Sequence, residues 1–143
     1  MSSGRRKRGG ATAPPQATVV IVNSDAMERT RLAEIAKAAG YQVFAISSAQ
    51  EVLRQLAPPP RTVLVLDSCF DPLSPATVID ALHDRGVYLP TLVTVPSYGI
   101  HDAVDAIRRN ATDVLEQPVP SKRFLYSIDA ALEKAWRSLP EKK

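Results

Sequence analysis

The stretch VVIVNSD, residues 19–25, runs from four apolar β-branched residues directly into three polar ones. Further along the chain, VLVLDS at residues 63–68 has a similar arrangement. Short, continuous apolar runs of this kind are typical of strands that are buried on both faces of a parallel sheet. Because ligands and chemistry collect at the carboxyl ends of such strands, Asn23, Ser24 and Asp67 are expected to lie at one site.

Strand-like and helix-like patterns alternate over the rest of the chain, outward from these two runs. The predicted strands are residues 18–22, 41–47, 62–67, 89–95 and 113–116. The predicted helices are residues 26–39, 48–57, 75–85, 101–109 and 121–138. Five strand–helix units in succession predict an α/β fold, in which helices cover both faces of a parallel sheet.

The spacing of apolar residues also predicts which helical side chains are buried. We assign Met27 to the apolar stripe of the first helix, and Val104 and Ile107 to the buried face of the fourth. Asp25 lies just before the first helix. A carboxylate there can accept hydrogen bonds from the free backbone amides and interact favourably with the positive end of the helix dipole.

The formal net charge of +3 originates in one short segment. The sequence RRKR at residues 5–8 leaves 14 basic and 15 acidic residues in the rest of the chain. Residues 1–17 are rich in Ser, Gly and Pro and lack periodicity, so we predict a disordered basic tail, followed by one domain over residues 18–139 and a short tail over 140–143.

Composition excludes several classes of protein. The single cysteine, Cys69, cannot form an intramolecular disulfide and fits a reducing compartment, so a cytoplasmic location is expected. No apolar run approaches the roughly 20 residues of a membrane helix. We also find no nucleophile–base pair, glycine-rich phosphate loop or cluster of metal ligands, and therefore expect no enzymatic activity.

Several segments resemble the receiver domains of bacterial response regulators, and the resemblance covers about residues 17–136. They are VVIVNSD, AGYQVFAISSAQEVL (39–53), TVLVLD (62–67), RGVYLPTLVTV (85–95) and AIRRNATDVLEQP (106–118). The resemblance implies a doubly wound, flavodoxin-like sheet of five parallel strands in the order 2-1-3-4-5. It also implies a role in two-component, or phosphorelay, signal transduction.

The resemblance places Asp67 at the position of the aspartate that receives the phosphoryl group in this family. In the family, two neighbouring acidic residues end the first strand and help to hold Mg²⁺. Asn23 and Ser24 stand there instead. An amide and a hydroxyl lack the charge that a hard divalent cation prefers, so we expect weak or absent Mg²⁺ binding and no other cofactor.

Three further positions depart from the family pattern. Val95 stands where a Thr or Ser hydroxyl binds the phosphoryl group, and Gln117 stands where a lysine precedes a proline. Val114 stands where a mobile aromatic residue couples to that hydroxyl. We therefore expect a phosphoryl group on Asp67 to find neither a cation nor a hydroxyl. The alternatives for Asp67 are some residual phosphorylation, or a role as a strand-end aspartate that accepts backbone hydrogen bonds. The Gln117–Pro118 bond is expected to be cis, as in many members of the family.

The family commonly binds partners through its fourth helix, fifth strand and fifth helix, which here correspond to residues 101–138. Tyr126 and Trp136 are candidate anchors on this face, because aromatic residues dominate interface energetics. They could equally cover the edge of the core. The partner implied is a signalling protein, either a histidine kinase or an output protein, or a second copy of this chain.

Three functional hypotheses remain open from the sequence. The first is a receiver-like module with a degenerate phosphorylation site that acts mainly through protein contacts. The second is a weakly phosphorylated, Mg²⁺-dependent receiver that uses Asp67. The third, which we regard as the least favoured, is a nucleic-acid-associated protein that uses the RRKR tail, and it predicts binding that weakens steeply with salt.

Overall fold

The computed structural model describes residues 17–54, 61–68, 73–97, 99–108 and 111–138. Within these ranges the side chains of residues 100, 102 and 136–138 are not described. The predicted basic tail, up to residue 16, and the predicted tail over 140–143 lie outside the described residues.

Five parallel strands form one sheet, as the alternating pattern predicts. The strands are β1 Thr18–Val22, β2 Gln42–Ile46, β3 Thr62–Asp67, β4 Thr91–Val95 and β5 Asp113–Glu116. The helices are α1 Ala26–Ala38, α2 Ala49–Arg54, α3 Pro75–Asp84, α4 Ile100–Arg108 and α5 Ser121–Ser138. The strand order β2-β1-β3-β4-β5 confirms the predicted flavodoxin-like fold.

Helices cover both faces of this sheet and leave its central strands fully buried. Every residue of β3 and β4 is buried, whereas β2 at one edge is largely exposed. Helices α1 and α5 pack on one face, around Val63, Val65 and Leu92. Helices α2 and α3 pack on the opposite face around Leu64 and Leu66, and α4 packs there next to β4 and β5.

Polar caps and glycines fix where the helices begin and end. Asp25 caps α1 by accepting a hydrogen bond of 3.0 Å from the amide of Met27, as expected. Ser74 caps α3, whose first residue is a proline. Gly40 and Gly86 follow α1 and α3 with φ of +99° and +76°, a left-handed conformation that glycine adopts without steric cost.

Three of the predicted buried side chains are exposed instead. Met27 is 83% exposed, because it lies nine residues from the buried Ala36, which is two and a half turns and therefore the opposite face of α1. Val104 and Ile107 are 45% and 53% exposed. The reason is that α4 packs against the sheet through Ala106, a small side chain that is fully buried.

The described helices do not combine the length and the apolar character that crossing a lipid bilayer requires.

Candidate functional site

The carboxyl ends of the strands open into a pocket of about 350 Å³. It brings together Asn23 and Asp67, which the strand pattern placed at this edge, and Gln117, which stands at the lysine position of the family. The remaining lining residues are Asp25, Glu28, Pro96, Ser97 and Pro118. The predicted convergence of strand ends is thus present, although the exposed Ser24 is not part of the lining.

Asp67 is the centre of a hydrogen-bonded network at the bottom of the pocket. Its side chain is only 5% exposed, and Oδ1 accepts a hydrogen bond of 2.8 Å from the hydroxyl of Thr94. The same oxygen accepts a hydrogen bond from Nε2 of Gln117, which also lies 3.2 Å from Oγ1 of Thr94. We refer to Asp67, Thr94 and Gln117 as the polar triad. A buried carboxylate needs such partners, because desolvation without them is costly.

Thr94 places a hydroxyl beside Asp67, at a site where we expected a phosphoryl group to find none. Thr94 is the residue directly opposite Asp67 in the pairing of β3 with β4, so both side chains project from the same face of the sheet. The family comparison along the chain pointed to Val95, one residue further on. Side chains alternate between the two faces of a strand. This alternation, combined with the register of β3 and β4, would have placed Thr94 on the same face as Asp67.

Val95 and Val114 occupy the opposite face of the sheet from Asp67. Val95 is 5% exposed and packs with Val93 and Ala106 beneath α4. Val114 is half-buried against the same cluster. The two positions at which the family carries a hydroxyl and an aromatic ring therefore belong here to one apolar cluster.

Asn23, which stands at one of the two acidic positions of the family, uses its side chain to support the start of α1. The residue is 4% exposed, and Oδ1 accepts a hydrogen bond of 2.9 Å from the amide of Asp25 at the start of α1. The guanidinium of Arg29 donates to the backbone carbonyl of Asn23 over 2.7 Å. The side-chain oxygen is therefore engaged in local structure.

These contacts do not fit a site for Mg²⁺. An ion of this kind needs several oxygen ligands in a near-octahedral arrangement, and it favours carboxylates. Across the described part of the chain, no three His, Cys, Asp or Glu side chains are grouped in a way that could hold a metal ion. The contacts of Asp67 include a hydroxyl and an amide, both of which donate hydrogen bonds to the carboxylate.

The segment from Gln117 to Pro120, which we call the β5–α5 loop, is held from two sides. The Gln117–Pro118 peptide bond is cis, as predicted, and the amide of Gln117 donates to the carbonyl of Val95 over 2.7 Å. From the other side, Nη2 of Arg31 donates to the carbonyl of Val119 over 2.8 Å. Arg31 also forms a two-pronged ion pair with Glu28, and this hydrogen bonding raises the pKa of Arg31 above its ordinary value.

The surface formed by α4, β5 and α5, which we call the partner face, exposes apolar side chains. Tyr126 on α5 is 69% exposed, whereas the side chain of Trp136 lies outside the described part. Val104 and Ile107 add exposed apolar area on α4, which the sequence reading had placed in the core. An ion pair of 3.2 Å between Arg123 and Asp113 joins α5 to β5 within this face.

Comparisons with known proteins point to one class of signalling domain. No protein-family model matches the chain. It is 29% identical over 130 residues to Nodulation protein W of Bradyrhizobium diazoefficiens, an alignment that covers 90% of this chain and 57% of that protein. It is 27% identical over 118 residues to the C4-dicarboxylate transport transcriptional regulatory protein DctD of Pseudomonas aeruginosa, covering 82% of this chain and 26% of that protein. The chain therefore spans less than two-thirds of these curated relatives.

Solved structures share the whole fold. The structure of FixJ-N superposes with a TM-score of 0.80 at 25% sequence identity, covering 90% of this chain and 100% of that chain. The CheY-like response regulator receiver domain protein of Methanospirillum hungatei superposes with a TM-score of 0.77 at 16% identity, covering 87% of this chain and 99% of that chain.

Proposed function

We propose that this chain, a receiver domain of the response-regulator type by fold and sequence similarity, signals through protein contacts rather than through phosphorylation of Asp67. The observation that carries the proposal is the set of groups around the Asp67 carboxylate. Oδ1 accepts hydrogen bonds from Thr94 and Gln117, and Asn23 uses its side-chain oxygen to support α1.

Charge explains why this site is poor at accepting a phosphoryl group. Phosphoryl transfer depends on cations that neutralise the charge developing on the transferred group. Among the described lining residues there is no lysine or arginine, and two of the other side chains, Asp25 and Glu28, are acidic. A phosphoryl group entering here would meet no cationic side chain among the described lining residues, and the nearby Arg31 is already paired with Glu28.

The partner face supplies the surface through which the domain acts. Tyr126, Val104 and Ile107 expose apolar area there, and exposed aromatic and aliphatic side chains are the usual anchors of protein interfaces. The occupant we propose is a signalling protein, either a histidine kinase or an output protein, or a second copy of this chain. No enzymatic step is assigned to the domain.

The first experiment incubates the protein with acetyl phosphate and Mg²⁺ and measures the intact mass. We expect no phosphoryl adduct on the wild type. The positive control is the triple variant Asn23→Asp, Ser24→Asp and Gln117→Lys, which restores two acids and a cation and should form one adduct. A wild-type adduct that disappears in Asp67→Ala would overturn the proposal in favour of a phosphorylated receiver.

The second experiment tests the partner face by sedimentation, with the chain alone and with its candidate histidine kinase or output protein. Ile107→Glu and Tyr126→Glu should weaken whichever assembly forms by about tenfold or more, as expected for interface anchors. The matched control is Met27→Glu, which places the same charge at an exposed residue of α1, away from this face. A wild type that remains monomeric and binds none of these proteins would contradict the proposal.

A further inference from the structure

The polar triad connects three separate parts of the fold through one carboxylate oxygen. Asp67 ends β3, Thr94 lies on β4, and Gln117 begins the β5–α5 loop. Each pair within the triad is in hydrogen-bond contact, and Asp67 and Thr94 are 5% and 1% exposed. Such a closed, largely buried network restricts each of its members more than an isolated hydrogen bond would.

The triad acts on the β5–α5 loop because Gln117 is the only one of its members outside the sheet strands. The two strand residues are paired in register in the interior of the sheet, so their backbone positions are fixed. The side chain of Gln117 donates into this fixed pair, while its backbone amide donates to Val95 on the same strand as Thr94. The loop is thus attached to β4 and β3 by both the main chain and the side chain of one residue.

We infer that Thr94 and Gln117 are positioning residues that hold the Asp67 carboxylate. In this way they keep the β5–α5 loop, which leads into α5 of the partner face, in one arrangement. That arrangement requires no bound cation. A hydroxyl and an amide stabilise the carboxylate by donating hydrogen bonds to it, and hydrogen bonds to a charged acceptor are about twice as strong as those between neutral groups. The inference rests on the proposed function only in that the loop leads into the partner face.

The role assigned to Asp67 differs sharply from that of a phosphoacceptor. A carboxylate that receives a phosphoryl group is disabled equally by Asp67→Asn and Asp67→Ala. For the triad, an asparagine retains a side-chain oxygen that can accept both hydrogen bonds, although without the charge, whereas an alanine removes the acceptor that Thr94 and Gln117 share. The two substitutions should therefore behave differently.

The test is native-state amide hydrogen exchange, read residue by residue by NMR without partner, phosphodonor or Mg²⁺. The probe is the amide of Gln117, which bonds to Val95. The internal control is the amide of Gln42, which bonds to Ala17 at the opposite end of the sheet. Loss of the triad should speed exchange at Gln117 by roughly tenfold or more, the effect of losing a hydrogen bond to a charged group, and leave Gln42 unchanged.

Four variants, two that break the triad and two that conserve its hydrogen-bonding groups, are compared with the wild type. Asp67→Ala and Thr94→Val should show the faster exchange at Gln117, and Thr94→Ser, which keeps the hydroxyl, should remain close to the wild type. Asp67→Asn, which keeps an acceptor but loses its charge, should lie between Asp67→Ala and the wild type. If Asp67→Ala does not fold, the nearly isosteric Thr94→Val and its Thr94→Ser control decide the question. Exchange at Gln117 that is unchanged in Thr94→Val, or raised equally at Gln42, would overturn the inference.

The outcome is separable from that of the proposed function. Acetyl phosphate is absent from the exchange experiment, so a failure there removes the triad's role without bearing on phosphorylation. Conversely, a phosphoryl adduct on the wild type would overturn the proposed function even if exchange at Gln117 follows the triad.

Discussion

Asp25 joins the polar end of β1 to the start of α1. Its side chain accepts from the amide of Met27, and its own amide donates to Oδ1 of Asn23. Capping of this kind satisfies amides that have no partner within the helix. The residue therefore serves the local structure of the pocket wall, as the sequence reading expected.

Replacing Asp25 tests the cap. Asp25→Ala should lower the free energy of unfolding by about 1 kcal/mol, because the first turn of α1 loses its side-chain acceptor. The measurement is a urea titration followed by circular dichroism. Ser24→Ala is the matched control, since Ser24 is exposed, and its effect should remain within about 0.5 kcal/mol. Equal effects of the two substitutions would argue against the cap.

Tyr41 provides a second residue whose environment can be measured. Burial, followed by a hydrogen bond of 2.6 Å to Asp129, raises the pKa of its phenol above the ordinary value. The folded state therefore holds the phenolic proton more tightly than the unfolded state does. Its contribution to stability is complete below about pH 10, the usual pKa of tyrosine, and is lost as the pH rises beyond that value.

A tyrosinate absorbance titration checks this prediction. Tyr41 should ionise above the usual range of tyrosine, and Tyr41→Phe should remove a component that titrates there. The variant should also lose less stability than the wild type as the pH rises above about 10. A component above the usual range that persists in Tyr41→Phe would show that another tyrosine carries the shift.

At the scale of elements, α4 shows how packing can override apolar spacing. A helical stripe of apolar residues predicts burial of Val104 and Ile107. The structure turns the small Ala106 toward Val93 and Val95 instead and leaves the larger side chains exposed. Periodicity locates an amphipathic helix, but the rotation of that helix on the sheet depends on which side chains fit the space available.

Alanine substitutions distinguish the exposed stripe from the true core. Val104→Ala and Ile107→Ala should each change the free energy of unfolding by less than about 1 kcal/mol, because they remove little buried area. Ile128→Ala, at a fully buried position of α5, should cost about 2–5 kcal/mol. Chemical denaturation of the three variants provides the comparison. A cost at Ile107 that matches the cost at Ile128 would place Ile107 in the core after all.

Much of the fold was predictable from local chemistry, and part of the site was not. Residues 113–116 and 121–138 coincide with β5 and α5, while β2 and β4 are each two residues shorter than predicted. The pattern also brought Asn23, Asp67 and Gln117 to one edge of the sheet. It missed Thr94, because the direction of a side chain depends on the pairing of two strands, which a reading along one strand does not contain.

At the scale of the whole molecule, the polar triad predicts stability that does not depend on divalent cations. A ligand that binds only the folded state stabilises it in proportion to the logarithm of its concentration, so an occupied Mg²⁺ site would raise the melting temperature. We expect the melting temperature of the wild type to change by less than about 1 °C from its value without Mg²⁺ when the ion is added in large excess over the protein.

The triple variant Asn23→Asp, Ser24→Asp and Gln117→Lys is the control for this measurement. Its added acids repel one another in the absence of a cation, so it should begin less stable and should gain stability as Mg²⁺ is added. Calorimetry of both proteins across a Mg²⁺ series makes the comparison. A wild-type melting temperature that climbs with Mg²⁺ in the manner of the variant would contradict the loss of the cation site.

The alternation of side chains along β4 has a mechanical consequence for communication within the domain. Thr94 and Val95 project to opposite sides of a strand that is buried throughout, so no rotation about their side-chain bonds can carry the hydroxyl across the sheet. Among the described residues, the side chains of β4 that face α4 belong to an apolar cluster, so the hydrogen bonds of the triad do not continue through this strand to that helix. The described path from the carboxylate to α4 runs along the chain instead, because Pro96 and Ser97, between β4 and α4, line the same pocket as Asp67.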